Sequence, residues 1–491
     1  MSAKSAMRLF PGSQPSLGDT HPDLRLFDPA PGTIVVLPSI TLPEEVLQRL
    51  VGMPYYEERM LWLLLALARP DTRVVYLSSL HIDPDIVDYY LDFLPNPEQG
   101  RARLRMLHLA DDTPRPLTEK LLGRPDIIEQ LRVVVSEPGG GWIQPFIVTS
   151  LEQRFAEQIG LPLYGAHPSL AYLGTKSGAR RVARAVQVPI LRGKEDLRSL
   201  SAVENALRVL KASEPPVEQA VIKLDDSSSG LGNVIVNITQ DESPITKWVT
   251  RFTTGGENWQ SFERKLTTRG AAAEQLLQHD NLASPSALVE ITPQGKWYVL
   301  ATHEQILGGA NGQTYLGCRF PADIRYRDCI QRYAERVAES LAGRGVIGSF
   351  GIDFLVIPSA VGECSVYLTE INLRLGGTTH PLGMIVLSTE GSYSRSMGEL
   401  TAQGHPKYYV ATDNLILKQL IGATPWDVLA LLRKAGLAFE RYSGTGVAAH
   451  MLGALPQFGK LGLTCIGHSP TEADQLYRDA VQLLETWVPP T

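Results

Sequence analysis

The sequence predicts a multidomain α/β protein, and three observations support this prediction. The chain has 491 residues, which is too long for one ordinary hydrophobic core and favours two to four domains. Hydrophobic residues make up 44% of the chain and charged residues 20%, as is typical of a soluble globular protein. Between residues 31 and 160, short apolar runs alternate with helical patterns, which is typical of a largely parallel sheet.

Composition argues against nucleic-acid binding and membrane association. The net charge of −6 at pH 7 offers no attraction for nucleic acid, so we predict no nucleic-acid partner. The longest dense apolar run, residues 60–68, is about half the length that spans a bilayer, so we predict no membrane association. The four cysteines lack zinc-type spacing and predict reduced thiols in the cytoplasm. Residues 1–30 are rich in Pro, Gly, Ser and Asp and predict a loose tail without a signal peptide.

The first domain is predicted to span residues 31–175. Strands are expected at residues 33–38, 72–77, 104–109 and 142–148, and helices at 43–68, 83–94 and 150–160. Ser150 is the expected N-cap of the last helix, with Gln153 at the capping-box position. Because no GxGxxG follows the first strand, a structural or substrate-side domain is favoured over a dinucleotide site.

A basic helix is predicted at residues 176–188. Lys176 lies near its start, where a cation opposes the helix dipole, and a nearby anionic ligand would remove this conflict. We interpret Arg180, Arg181 and Arg184 of the same helix as a solvated face.

A loop rich in serine and glycine, residues 225–233, separates predicted strands at 220–224 and 234–238. A hairpin does not need so long a connection. Small residues can offer backbone N–H groups to phosphates, and Lys223 at the strand end can reach a phosphate as a point charge. The loop is therefore either a phosphate-binding segment or a plain hairpin, and the residues alone leave both open.

The most informative stretch is a predicted hairpin at residues 351–357 and 365–374. Side chains of a strand alternate between its faces, so Glu370, Asn372 and Arg374 share one face. If Asp353 lies across from them, three oxygen ligands suited to Mg²⁺ converge beside one cation. The alternative is a solvated strand face. The turn that follows, residues 375–379, has small residues whose N–H groups can meet an anion.

The remaining predicted elements contain fewer candidate functional residues. Paired strands are expected at residues 288–291 and 297–301, followed by an amphipathic helix at 326–342 that Gly343 ends. Residues 411–491 predict a small α/β unit with helices at 425–435 and 471–487, the second capped by Thr471. His450 and Lys460 of this unit either face the active site or are structural.

The order of these pieces resembles the ATP-grasp superfamily of carboxylate–amine ligases. By this resemblance, Lys176 and Lys223 hold the phosphates of ATP, and residues 225–233 close over them. The metal ligands for Mg²⁺ would be Asp353, Glu370 and Asn372, with Arg374 near the transferred phosphate. The residues expected to bind the nucleotide are, over its phosphates, Ser227, Ser228, Ser229, Gly230 and Gly232 of the loop and, in the hinge segment that meets the adenine, Glu274, Gln275 and Leu277.

Three segments resemble the ATP-grasp peptide ligases of pheganomycin biosynthesis and their relatives: EINLRLGGTTHP, GQTYLGCRFPAD and the glycine-rich stretch at residues 444–467. This implies a pre-ATP-grasp domain at 31–175, an ATP-grasp core at 176–410 with a hinge near 270–286, a C-terminal domain and a homodimer. Residues 278–286 contain no Glu at the place where many members bind ribose. The expected substrate contacts are Arg319, Gly376, Gly377, Thr378 and His380.

The activity implied by the resemblance is ATP-dependent amide formation in natural-product biosynthesis. A carboxylate, expected to belong to an amino acid or an amino-acid-like acid, takes the γ-phosphate, and an amine of an amino acid or peptide then displaces phosphate from the acyl phosphate. Arg374 and Lys223 are the expected catalytic residues. The alternatives are an ATP-grasp phosphotransferase, an acid–thiol ligase or a non-catalytic nucleotide-binding protein.

Overall fold

The structure, a computed structural model, describes residues 17–135, 140–227, 232–239, 243–279, 281–308, 314–359 and 363–488. Within these ranges the strands form three sheets: one of four parallel strands, one of five antiparallel strands and one of ten antiparallel strands. The predicted mixed α/β architecture is confirmed. None of the described helices combines the length and apolar character needed to cross a bilayer.

The N-terminal domain is built on the parallel sheet, with strand order β3-β2-β1-β4. Strand β1 is buried along its whole length, because helices cover both faces of a parallel sheet. The strands are β1 Gly32–Leu37, β2 Thr72–Ser78, β3 Leu104–His108 and β4 Gly141–Pro145. The helices are α1 Leu17–Thr20, α2 Glu44–Leu47, the 3₁₀ helix Met53–Ala68, α3 Pro84–Leu91, α4 Pro97–Ala102, α5 Leu117–Leu122, α6 Pro125–Val135 and α7 Ser150–Ile159.

The segment predicted to be a loose tail is packed from Leu17 onwards, where the described residues begin. Leu24 and Leu26 are buried in the main hydrophobic core. Glu290, also buried, accepts a hydrogen bond from the backbone N–H of Leu26 at 2.5 Å. The Pro-rich and Gly-rich sequence therefore indicates an irregular segment, but from Leu17 onwards this segment is packed against the rest of the protein.

Two predicted helix caps are wrong, each because a better cap lies next to it. Thr149, not Ser150, caps α7: its hydroxyl accepts from the N–H of Leu151, and the carboxylate of Glu152 accepts from the N–H of Thr149 at 2.8 Å. A carboxylate is a stronger acceptor than the amide of Gln153. At the C-terminal helix Ser469, not Thr471, is the cap, because the proline after it favours the first helical position.

The five-stranded sheet has the order β5-β9-β6-β7-β8 and contains the predicted β6–β7 hairpin, which is confirmed. Its strands are β5 Gly193–Leu197, β6 Gln219–Leu224, β7 Asn233–Asn237, β8 Thr250–Phe252 and β9 Ala271–Gln275. The helices are the 3₁₀ helices Pro168–Gly174 and Ile245–Lys247, together with α8 Lys176–Ala185, α9 Leu200–Lys211 and α10 Trp259–Arg269.

The ten-stranded sheet has a path β14-β13-β10-β11-β12-β17-β16-β15, with β19 pairing with β17 and β18 with β19. Its strands are β10 Pro285–Ile291, β11 Trp297–Gly308, β12 Thr314–Phe320, β13 Gly348–Ile357, β14 Ser365–Asn372, β15 Ser392–Ser394, β16 Glu399–Ala402, β17 His405–Ile416, β18 Gly446–His450 and β19 Lys460–Gly467. The helices are α11 Ile324–Ala342, α12 Thr379–Thr389, α13 Pro425–Lys434, α14 Leu455–Phe458, α15 Pro470–Glu485 and the 3₁₀ helices Lys418–Leu420 and Leu452–Ala454.

The C-terminal unit is part of this large sheet, since β17 pairs with both β12 and β19. The expected domain boundary after residue 410 therefore falls inside β17. The same unit shares one hydrophobic core with the 3₁₀ helix Met53–Ala68 of the N-terminal domain and with α12. Elements from the two ends of the chain thus meet beside the central sheet.

Helix α11 fixes the direction in which the predicted metal face points. Its apolar stripe is buried as predicted and packs in one core with Ile352, Phe354 and Leu368 of β13 and β14. Because neighbouring side chains of a strand point to opposite faces, Asp353 points away from this core.

Candidate active site

The hairpin of β13 and β14 brings two carboxylates together. Asp353 and Glu370 are paired residues on the two antiparallel strands, and a β-bulge follows immediately after them. The carboxylate of Asp353 accepts from the amide of Asn372 and from that of Gln305, both at 2.8 Å. The structure therefore gathers the three expected metal ligands, with Gln305 as a fourth polar group that the sequence did not indicate.

The two carboxylates differ in their electrostatic state. Burial and the neighbouring charge of Glu370 raise the pKa of Asp353 to about 7. Burial also pushes the pKa of Glu370 upward, but Lys176 and Lys223 outweigh it and hold that pKa below its usual value. Near neutral pH, Glu370 is thus an anion, and Asp353 loses its proton readily when a cation approaches.

Two ammonium groups reach the site from the five-stranded subdomain. Lys176 Nζ, at the N-terminal end of α8, lies 2.7 Å from a carboxylate oxygen of Glu370. Lys223 Nζ, at the end of β6, lies 2.7 Å from Glu274, whose other oxygen accepts from Arg180 at 2.7 Å. Burial lowers the pKa of Lys223, but Glu274 and then Glu370 raise it more, so its net shift is upward. Both pairs therefore belong to one charge network across the subdomain cleft.

Lys176 lies at the N-terminus of α8, where its positive charge is unfavourable beside the helix dipole, and the carboxylate next to it offsets this effect. A cation at a helix N-terminus is unfavourable unless an anion lies close by. Glu370 supplies that anion. A phosphate group can replace it, which frees Glu370 for a metal ion.

The donor set suits Mg²⁺. Mg²⁺ commonly binds one or two protein carboxylates and completes its shell with water and substrate phosphates. Asp353 and Glu370 supply two carboxylates, and Asn372 adds an amide oxygen if its side chain turns. Within the described ranges no group of three or more His, Cys, Asp and Glu side chains forms a closed metal cage. An open site of this kind fits an ion that arrives with a nucleotide.

The serine–glycine loop is described at its two ends. The hydroxyl of Ser227 donates to the carbonyl of Leu224 at 2.8 Å, and the N–H of Gly232 donates to Thr254 at 3.0 Å. Both ends, together with Arg269, line a cleft of about 490 Å³ including its open mouth. Ser228, Ser229 and Gly230, also expected to contact phosphate, lie outside the described residues.

The hinge residues lie at the end of β9, where the chain leaves the five-stranded sheet for β10. Glu274 was expected to meet the adenine, whereas its buried carboxylate is paired with Lys223 and Arg180. The side chain of Gln275 accepts from Arg192 at 3.1 Å, and Leu277 is half-buried just beyond the strand.

Arg374 and the turn after it border the carboxylates. Arg374 donates to the carbonyl of Leu375 at 3.0 Å, and burial together with Arg59 lowers its pKa. The turn closes through a bond from the Gly376 N–H to Thr379 Oγ1 at 3.1 Å. At Gly377 a Cβ would lie 2.5 Å from the ring of Tyr315, so only glycine fits.

The other expected substrate residues are placed differently. Thr378 is the N-cap of α12 without a side-chain cap bond, and His380 in the first turn of that helix is buried. Arg319 donates to Asp474 of α15 at 3.0 Å. The structure thus puts Arg319 at the C-terminal helix, while His380 lies near the turn.

One basic residue is wrongly assigned by the sequence interpretation. Arg180 is buried and holds Glu274 and Glu195, whereas Arg181 and Arg184 keep more than half of their side chains exposed. Arg180 lies four positions after Lys176 and therefore on the same face of α8, which is the signal that could have identified it. The sequence also gave no sign of Arg59 and Asp413, which pair at 3.0 Å beside the site.

Comparison with known proteins identifies the family. The chain is 32% identical over 471 residues to the L-propargylglycine–L-glutamate ligase of Streptantibioticus cattleyicolor, covering 92% of this chain and 94% of that protein. A family profile described as "IQCH-like, ATP-grasp" matches residues 245–395. The chain belongs to the ATP-grasp ligase family.

Other similarities agree with this assignment. A profile described as "PGM1 C-terminal domain" matches residues 427–480 of the ligase. This chain is also 20% identical to the IQ motif-containing protein H of Danio rerio, and the match covers 73% of this chain but only 39% of that protein.

Solved structures show the same fold. The biotin carboxylase domain of Hydrogenobacter thermophilus 2-oxoglutarate carboxylase aligns with a TM-score of 0.55 at 11% identity, covering 92% of this chain and 89% of that one. The N5-carboxyaminoimidazole synthetase of Staphylococcus aureus, complexed with ADP, aligns with a TM-score of 0.51 at 13% identity, covering 92% and 97%.

Family membership confirms the predicted enzyme class. The protein is an ATP-dependent ligase that forms C–N bonds. Its cofactors are ATP and Mg²⁺.

Proposed function

We propose that this ligase joins the carboxylate of an amino acid, or of an amino-acid-like acid, to the amine of another amino acid or a peptide. The observation that carries the proposal is the convergence of Asp353, Glu370 and Asn372 with Lys176 and Lys223. The name of the relative from Streptantibioticus cattleyicolor, which pairs two amino acids, supports amino-acid substrates.

The first step makes an acyl phosphate. A carboxylate oxygen of the acid attacks the γ-phosphorus of ATP, the bond to the bridging oxygen breaks, and ADP leaves. In this step Lys176 breaks its ion pair with Glu370, and Lys223 breaks its ion pair with Glu274. Both lysines then bind phosphate oxygens, so the protein exchanges two internal ion pairs for contacts with the nucleotide. Asp353, Glu370 and Asn372 would hold Mg²⁺, which would supply positive charge to neutralise that of the phosphates. Positioning and charge compensation, the main requirements of phosphoryl transfer, come from these residues.

The second step forms the amide. The neutral amine attacks the acyl carbon, phosphate leaves, and the amine releases its proton. Arg374 lies beside the carboxylates and is suited to stabilise the negative charge of the acyl phosphate and of the departing phosphate. The loop at residues 225–233 closes over the phosphates in this proposal and keeps water from the acyl phosphate.

We extend the proposal to domain roles and assembly. The parallel domain at residues 31–175 contributes to substrate binding, and the core at 176–410, with its hinge near 270–286, binds the nucleotide. The C-terminal unit at 411–491 packs against both. The chain passes from the five-stranded sheet to the ten-stranded sheet between β9 and β10, which supports a hinge in this segment. We also propose a homodimer, supported by the dimer named for the Hydrogenobacter domain. The four free cysteines support a cytoplasmic location. The proposed role in natural-product biosynthesis follows from the resemblance to the peptide ligases of pheganomycin biosynthesis. Light scattering of the purified chain tests the dimer.

The activity is tested by mass spectrometry of reactions with ATP, Mg²⁺ and pooled amino acids and dipeptides. We expect products whose mass is the sum of two components less one water, and ADP release that needs both. ADP release that is independent of amine would indicate a phosphotransferase, and a thioester formed with added thiols would indicate an acid–thiol ligase. No condensation product and no ATP consumption would contradict the proposal.

A further inference from the structure

Four polar side chains meet where the N-terminal domain, α12 and the C-terminal strands come together. We call Arg59, His380, Asp413 and His450 the junction cluster. Arg59, from the 3₁₀ helix Met53–Ala68, donates to Asp413 of β17 at 3.0 Å. The rings of His380 on α12 and His450 on β18 have centroids 4.1 Å apart. The cluster therefore combines residues from three distant parts of the chain.

The junction cluster has unused hydrogen-bonding capacity. Among the described residues, Arg59 Nε, both ring nitrogens of His380 and His450 Nε2 are buried and have no hydrogen-bond partner. His380 is only 7% exposed and His450 4%. A buried polar atom without a hydrogen-bond partner is unfavourable, so four such atoms in one place favour a polar ligand there.

The cluster adjoins the phosphate-transfer site through Arg374. The Arg59 guanidinium lies 4.9 Å from the ring centre of Phe146, and Phe146 and Arg374 line the same narrow cleft, about 290 Å³ including its mouth. The charge of Arg59 is close enough to disfavour the charge of Arg374. Two guanidinium groups close enough to repel each other favour an anion between them, and a carboxylate is a good geometric match.

The neighbouring groups select a zwitterion over a simple anion. Asp413 is buried, and its carboxylate has lone pairs beyond the one that Arg59 uses. Burial lowers the pKa of His380 and of His450, the latter to about 4, so both rings are uncharged at neutral pH and do not repel an ammonium group. A positive group placed on Asp413 would lie directly beside an anion held by Arg59.

We propose that the junction cluster is the subsite for the amino acid whose carboxylate is activated. Its carboxylate lies between Arg59 and Arg374, its α-ammonium group on Asp413, and its side chain toward His380 and His450. This inference rests on the proposed ligase activity and assigns the donor substrate class: an α-amino acid, recognised at both of its charged groups. The N-terminal domain contributes Arg59 and the C-terminal unit Asp413, so the subsite is complete only when the two meet.

The test compares an amino acid with the same acid lacking its amino group. The probe is the amino acid that the pooled reaction shows to be activated, together with its des-amino analogue. We expect wild-type enzyme to prefer the amino acid in kcat/KM by about 10- to 100-fold, and Asp413→Asn to lose that preference while its KM for ATP stays unchanged. Arg59→Lys should raise the KM of both acids, because Lys cannot form the paired contacts of a guanidinium.

Arg69→Lys is the matched control. Arg69 ends the same 3₁₀ helix, its side chain is 50% exposed, and its partner is Asp28. We expect this variant to keep the kinetic constants of wild type. If Asp413→Asn slows the amino acid and its analogue equally, or if the wild type does not distinguish them, the subsite assignment is wrong.

Hydrogen exchange of the wild-type protein keeps the test independent of variant folding. With ATP analogue present, the amino acid should protect residues 53–68 and 405–416 more than its des-amino analogue does. Equal protection by the two acids would contradict the assignment. Absence of condensation product with every acid and amine would instead contradict the ligase proposal, so the two failures are distinguishable.

Discussion

Replacing Glu370 by Gln removes the anion at the centre of the charge network without changing the shape of the side chain. Its carboxylate lies 2.7 Å from Lys176 and is paired with Asp353 across the hairpin. With Gln in its place, only Asp353 supplies negative charge to the metal. Loss of one well-placed charge in such a site costs about 3–4 kcal/mol of transition-state stabilisation, which corresponds to roughly 10²–10³-fold in kcat.

The effect on folding should be much smaller. The Glu370 side chain is 28% exposed, so solvent screens its pair with Lys176 and the stability lost is about 1 kcal/mol. The assay follows ADP release under saturating ATP and Mg²⁺, with the melting temperature measured in parallel. Glu363→Gln, an exposed carboxylate just before the same strand, is the control and should behave as wild type. Turnover of the Glu370 variant within tenfold of wild type would refute the metal assignment.

Three further predictions concern neighbouring charges. Lys223→Met should weaken ATP binding about 10- to 100-fold in calorimetry, because one charge-assisted phosphate contact is lost, while Glu274 keeps its bond to Arg180; unchanged affinity would exclude Lys223 from the nucleotide site. Glu274→Gln should destabilise the fold by about 3–5 kcal/mol in urea unfolding, because the buried Lys223 loses its ion-pair partner and the buried Arg180 loses one of its two; a loss below 1 kcal/mol would contradict this. Burial raises the pKa of Glu58 from its usual 4.5 to about 8, so between these pH values the folded protein holds a proton that the unfolded chain has released, and stability falls until the folded pKa is passed; Glu58→Gln, which keeps the acceptor for the Gly453 N–H, should flatten the fall of melting temperature between about pH 5 and 8.

The sequence predicted what short-range periodicity can show. The alternation around Asp353 and Glu370 identified the hairpin, because strand side chains repeat every second residue and both strands are close in the chain. Likewise, strand–helix alternation identified the parallel sheet. These features depend on local patterns and on pairing between neighbouring segments.

Contacts between distant segments could not be predicted in the same way. Arg180 looked like part of a solvated face, because its partners Glu274 and Glu195 lie on strands that only the folded subdomain brings to it. Arg59 and Asp413 carry no local motif, and their pairing depends on how the two ends of the chain pack. The boundary expected at residue 410 lies within β17, which pairs with both β12 and β19, and a strand that extends a sheet has the same sequence pattern as one that begins a new domain.

The acyl phosphate pathway can be tested by ³¹P NMR of a reaction that contains ATP, Mg²⁺ and pooled amino acids labelled with ¹⁸O in their carboxyl groups. If the carboxylate attacks the γ-phosphorus, the reaction yields ADP together with inorganic phosphate that carries one ¹⁸O atom. Formation of AMP and pyrophosphate, or of phosphate without the label, would contradict phosphoryl transfer to the acid.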